Sequence, residues 1–117
     1  MKITKARKRK IVARMIELLD RRGGWVKGAW VRPSKGGEGG YGYCLLGAAR
    51  KAYEDVTGMP PNDGDMGRDV AEALSLVALI RAKSGGKGVA EFNDHRKTKK
   101  ADVLAILREK QEELATS

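Results

Sequence analysis

A chain of 117 residues with a formal net charge of +9, one cysteine and one histidine has room for one domain around one core. It cannot close an internal disulfide, and it lacks the ligands for a structural zinc site of Cys and His. One Phe, two Trp and three Tyr leave the core to Leu, Ile, Val and Ala, which suits helices, and the longest apolar runs, such as residues 76–80, are five residues against the roughly 20 of a membrane span.

Residues 2–22 hold nine of the 24 Lys and Arg against two acids, Glu17 and Asp20, so +7 of the +9 lies there. Arg14 and Glu17 interrupt the only apolar stretch that a secretory signal would need. Wound as a helix at about 100° per residue, residues 5–22 gather Val12, Met15, Ile16 and Leu19 on one side. Arg7, Lys10, Arg14 and Arg21 gather on the other. Lys8 and Arg9 project at the apolar edge, so the first turns have little to bury. This predicts a basic arm over 1–10 overhanging a single domain over 11–117, with a helix docked from residue 11. A solvated basic back is the ordinary alternative to an anion-binding surface.

Gly23 and Gly24 suit the end of that helix. The β-branched and aromatic residues 25–31, closed by Pro33, predict a strand. The four glycines of 34–40 predict a loop, and residues 41–43 a return strand that completes a short hairpin lying on helices. Residues 44–57 predict a second helix, in which Gly47 costs about 1 kcal/mol against Ala and therefore suits a close approach to the backbone. Pro60 and Pro61 follow. The acidic turn 62–65 lacks the alternating ligands and closing Glu of an EF-hand, and Asp65 is a candidate N-cap for a third helix to about residue 83. With Val70, Ala73, Leu74, Leu76, Val77 and Ile80, that helix is apolar over more than half its girth, which predicts the central, most buried position. Residues 89–92 predict a short extended or turn segment anchored by Phe92. Thr98 is a candidate N-cap for a final helix over 99–115, with Val103, Leu104, Leu107 and Leu114 inward and Ala101 near its start. Lys99 and Lys100 have the wrong sign for a helix N-terminus, with Asp102 as a local compensation. The expected fold is α+β, mostly helical: about four helices with one short β-hairpin. The long connections near 58–65 and 84–98 argue against a helix-turn-helix.

Taken together, Gly24-Trp25, Gly28-Ala29, Cys44-Leu45-Leu46-Gly47-Ala48 and Phe92-Asn93-Asp94 resemble a group of small uncharacterised proteins of actinobacteria and their phages. These share a pattern of GW-x-x-GA, CxLGA and (W/F)ND, then a Thr and a final helix. The resemblance spans about residues 24–115. It implies a small domain of phage type and no activity. The basic segment 2–10 lies outside the pattern, so its charge reads as this chain's own specialisation.

Two chemistries compete. Lys5, Arg7, Lys8, Arg9, Lys10, Arg14 and Arg21, with a second cluster of Arg96, Lys97, Lys99 and Lys100, could track phosphates; no base-reading motif accompanies them. Alternatively, Cys44 at a helix start, where the dipole lowers a thiol pKa, with His95 as base and Asn93 or Asp94 as orienting group, would imitate a thiol hydrolase or acyltransferase. Against that, a Cys beside Leu45 and Leu46 is ordinarily a packing residue, and Asn93 and Asp94 ordinarily make Asx turns and caps, here fixing the entry to the last helix. Trp25, Trp30, Tyr41 and Tyr43 either stack bases or pack the hairpin. The expectation is a basic, non-enzymatic accessory protein with no cofactor and no metal, phage-encoded and acting in the host cytoplasm. It would bind nucleic acid non-specifically or, as the alternative, dock on an acidic host protein. Homodimerisation through apolar helix faces stays open.

Overall fold

The computed structural model describes residues 1–33, 40–59 and 65–116. They form a mostly helical α+β globule with one antiparallel hairpin: α1 (Lys5–Asp20), β1 (Val31–Pro33), β2 (Tyr41–Tyr43), α2 (Leu45–Thr57), α3 (Met66–Ala73), α4 (Leu76–Lys83), α5 (Val89–Asp94) and α6 (Lys100–Thr116). No helix among the described residues is long and apolar enough to cross a membrane.

The first helix begins inside the expected arm. Thr4 caps it, its Oγ1 accepting from the Arg7 N–H at 3.3 Å and its carbonyl from the Lys8 N–H at 2.8 Å. Residues 5–10 are thus the first turns of α1, and Ile3 packs against the core. Ile11, Val12, Met15, Leu18 and Leu19 are buried. The helix stops at Asp20, and Gly23 turns the chain at φ 70. Gly24 is held against α1: its N–H donates to the Arg21 carbonyl at 2.9 Å, and a Cβ there would collide with the Leu18 carbonyl.

The α1–α2 pair, not the third predicted helix, is central: α1 packs against α2 and α6, and α2 also against α3 and α5. α6 runs antiparallel to α1. Arg9 Nε donates to the Leu114 carbonyl at one end of the α1–α6 pair, while Lys100 Nζ donates to the Asp20 and Arg21 carbonyls at the other.

The expected third helix is two. Ser75 takes a left-handed φ of 59 between α3 and α4. On one straight helix Leu76 and Ile80 would lie about 80–160° around from Val70 and Leu74. The break lets Val70, Ala71 and Leu74 of one piece and Leu76 and Ile80 of the other all reach the core. Asp65 occupies the N-cap position of α3 without a side-chain capping bond.

The expected strand over 25–31 is also shorter. Trp25 makes one isolated bridge to Tyr43, Gly28 turns at φ 75, and the paired strand begins at Val31, in the register Val31 with Tyr43, Arg32 with Gly42 and Pro33 with Tyr41. Pro33 belongs to this strand rather than closing it, as an edge strand allows. The expected extended segment at 89–92 is helical, because Val89, Phe92 and Asn93 point inward at helical spacing. Thr98 is buried but lies one residue too early to cap α6; Asp102 Oδ2 instead accepts from the Lys99 N–H at 2.8 Å. In α6 the inward face is Val103, Leu104, Ile106, Leu107 and Lys110, with Leu114 partly buried and Ala101 exposed. The predicted glycine loop, apart from Gly40, and the acidic turn, apart from Asp65, lie outside the described residues.

Candidate functional site: a buried asparagine node and two basic ends

Three separated motifs meet at Asn93, which is 1 % exposed. Its Oδ1 accepts from the Trp25 indole N–H at 2.7 Å and the Leu45 N–H at 3.1 Å. Its Nδ2 donates to the Val26 carbonyl at 3.0 Å and to Asp94 Oδ1 at 2.9 Å. Asp94 Oδ1 also accepts from the Gly28 N–H at 2.9 Å, at the residue whose positive φ makes the bend. Lys27 lies over the Trp25 ring, 5.4 Å from its centre, and donates to the His95 carbonyl at 2.6 Å. Asn93 and Asp94 therefore fasten the 25–28 segment and the start of α2. Their expected role was structural, but what they fix is the hairpin approach rather than the entry to α6.

Cys44 is the N-cap of α2, its Sγ accepting from the Gly47 N–H at 3.4 Å. The helix-start position was expected to lower the thiol pKa. The structure gives the opposite direction: burial pushes the thiol up, and the backbone N–H groups of Gly47 and Leu46 recover only part of that cost. Asp94, which lines the same cavity of about 170 Å³, adds to the upward shift. Nor is His95 placed as the base. Its Nδ1 accepts from the Lys97 N–H at 3.1 Å, and no hydrogen bond joins it to Cys44 among the described residues. No group of three or more His, Cys, Asp or Glu side chains that could hold a metal occurs among those residues either.

The cations expected to bind nucleic acid divide by what they do. Arg14 pairs with Asp55 at 2.9 Å and Glu17 at 3.1 Å. Arg9 and Lys100 tie α1 to α6 as described, and an Arg21 terminal nitrogen reaches the Tyr41 carbonyl at 3.4 Å. The side chains of Lys5, Arg7, Lys8 and Lys10 make no ion pair among the described residues, and neither do those of Arg96, Lys97 and Lys99. These two groups do not form one patch. Lys100 anchors the second beside Asp20, and Lys5 starts the other end of a 16-residue helix, about 24 Å away at 1.5 Å per residue. Between them the outer face of α1 carries Glu17 and Asp20, both exposed.

Sequence reasoning passed over Arg50. An Arg followed four residues later by Glu54 reads as an ordinary helix-surface ion pair. In the structure the pair is not made, and Arg50 Nε is sealed from solvent without an acceptor.

Residues 4–112 match a family described only as a family of unknown function, DUF6197, and the chain belongs to that family. The matched span takes in the whole of α1, including the basic turns that the motif pattern over 24–115 left aside. No curated protein and no solved structure matches.

Proposed function

We propose that the protein is a non-enzymatic accessory factor that binds nucleic acid through the phosphate backbone, gripping it with the first turns of α1. One observation carries this reading. Lys5, Arg7, Lys8 and Lys10 stand on a helix N-terminus whose first turn holds no acid, where the helix dipole disfavours cations, and no carboxylate among the described residues pairs with them. A charge left unpaired among the described residues is available to an external anion. The neighbouring C-terminal end of α6 relieves part of the repulsion, since the Leu114 carbonyl holds Arg9. The Arg96–Lys97–Lys99 group gives a second phosphate contact near the far end of α1. Nothing in either group reads a base edge, so this grip is insensitive to sequence. The phage origin and host-cytoplasm setting suggested by the motif pattern belong to the same reading.

The test is fluorescence anisotropy of labelled duplex and single-stranded DNA across a salt series. With about five phosphates engaged, affinity should fall roughly 500-fold between 50 and 200 mM salt. Arg7→Glu with Lys10→Glu should abolish binding while leaving the fold intact. Unchanged binding by that variant would refute the assignment. Absence of binding by the wild type at low salt would move the charge to an acidic protein partner, to be sought in nuclease-treated lysate.

A further inference from the structure

Beside α2 lies a cavity of about 170 Å³ lined by Trp30, Tyr43, Gly47, Arg50, Lys51 and Glu54. Its walls are pinned. The Trp30 carbonyl accepts from the Cys44 N–H at 3.3 Å, and the same carbonyl lies so close to Gly47 that any Cβ there would collide with it. The Trp30 ring reaches to Gly67 of α3. Tyr43 is held between β1 and the Trp25–Val26 segment, its carbonyl accepting from the Val26 N–H at 3.1 Å and its N–H donating to the Gly24 carbonyl at 2.7 Å. Arg50 lines the same pocket: its Nε is buried without an acceptor, and its guanidinium makes no ion pair even with Glu54, one turn along the same helix, among the described residues. Buried polar groups in native proteins are nearly always satisfied, and an exception is often completed by a molecule from outside.

We propose that this pocket receives one unpaired base of a single-stranded nucleic acid, an inference that rests on the phosphate-binding reading above. A cavity of 150 Å³ admits a benzene-sized ring, so a space of about 170 Å³ suits one ring. The lining is close to electrically balanced: Glu54 opposes Arg50, and Lys51 is paired with Asp55 at 3.0 Å. A phosphate would meet the Glu54 carboxylate, whereas a neutral base suits both, with ring acceptors for the Arg50 N–H groups and an exocyclic amine for Glu54. Trp30 and Tyr43 are the aromatic residues of the lining, and stacking on an aromatic face tolerates any base. The pocket also adjoins the basic helix: Lys51 of its lining shares Asp55 with Arg14, which lies on the same face of α1 as Arg7 and Lys10 at helical spacing.

The experiment compares a labelled single strand with a hairpin duplex of the same length, for the wild type, Arg50→Met, Arg50→Lys and the Arg7→Glu/Lys10→Glu pair. Circular dichroism confirms that each is folded. The wild type should bind the single strand about tenfold tighter than the duplex, the worth of one stacked and hydrogen-bonded base, and tryptophan emission should be quenched by the single strand alone. Arg50→Met should remove that tenfold preference and leave duplex binding as it was. Arg50→Lys keeps the charge and loses the planar fork. It should behave like Arg50→Met, and it carries the test should Arg50→Met fail to fold. Equal wild-type affinity for both forms, or an Arg50→Lys variant with the wild-type preference, overturns the base pocket and leaves the phosphate grip standing. Absence of binding to either form removes both.

Discussion

Replacing Arg7 by Glu should make the protein more stable and a worse binder at the same time. Thr4 is the N-cap of α1 and Arg7 the third helical residue, whose own N–H is already held by Thr4 Oγ1 at 3.3 Å. A Glu at that position completes a capping box, its carboxylate reaching back to the Thr4 N–H. It also replaces an unfavourable charge in the helix dipole with a favourable one, each worth about 0.3–1 kcal/mol at low salt, for a combined gain of about 1–1.5 kcal/mol. For 117 residues the unfolding entropy is about 0.25 kcal/mol/K at the usual per-residue value, so the expected rise in Tm is about 4–6 °C. In 1 M salt, where the Debye length is about 3 Å, most of the dipole share should vanish. Affinity for DNA should drop about tenfold at 0.1 M salt, and the slope of log K against log salt should fall by about one. Melts at two salt concentrations and anisotropy titrations read both sides. A lower Tm at low salt would refute the capping argument. A higher Tm with undiminished binding would show that the cations at the helix start are not the contacts.

Asn93→Ala removes four hydrogen bonds and strands the Trp25 indole N–H, the Leu45 N–H and the Val26 carbonyl. The expected loss is about 3 kcal/mol, and an isosteric Asn93→Asp, unable to donate to Val26, should be comparably destabilised at neutral pH; a wild-type melt for Asn93→Asp would contradict the donor geometry. Gly47→Ala should gain about 1 kcal/mol by helix propensity but lose at least about 2 kcal/mol by driving a Cβ into the Trp30 carbonyl, so denaturant unfolding should show net destabilisation. At Asp55, burial alone would raise the pKa, but the hydrogen bonds from Arg14 and Lys51 outweigh it and hold the carboxyl below its ordinary range. Its contribution is therefore full above the pKa of an unfolded aspartate and is lost as pH falls through the lower folded value. Asp55→Asn should flatten the acid limb of Tm against pH in that window, and an unchanged acid limb would show the ion pairs to be energetically idle.

Periodicity served best where an element buries one stripe. Ile11 to Leu19 in α1, Leu45 to Ala52 in α2 and Val103 to Leu107 in α6 were each legible, as was the close approach that makes Gly47 necessary. It misled where two stripes adjoin: residues 66–83 looked like one broadly apolar helix because Val70 and Leu76 address the core from helices set at an angle, which a linear pattern superposes. Residues 89–94 were too short for a helical period to stand out. Of the site, Cys44 at a helix start and the structural bent of Asn93 were visible from residue type and position. The direction of the Cys44 pKa was not, because desolvation depends on what other segments lay over the thiol.

By itself the sequence determined what is local or additive: a single mostly helical domain with one hairpin, a charge concentrated at the N-terminus, and no means of closing an internal disulfide. Tertiary structure decided which of those charges are spent. Arg9, Arg14, Arg21 and Lys100 find carbonyls or carboxylates contributed by distant segments, while Lys5, Arg7, Lys8 and Lys10 find none among the described residues, and Arg50 is left in a pocket lined by two aromatics with its Nε–H unanswered. Ion pairing and burial act over a few ångströms between residues that lie tens of positions apart, so only the folded chain can assign them.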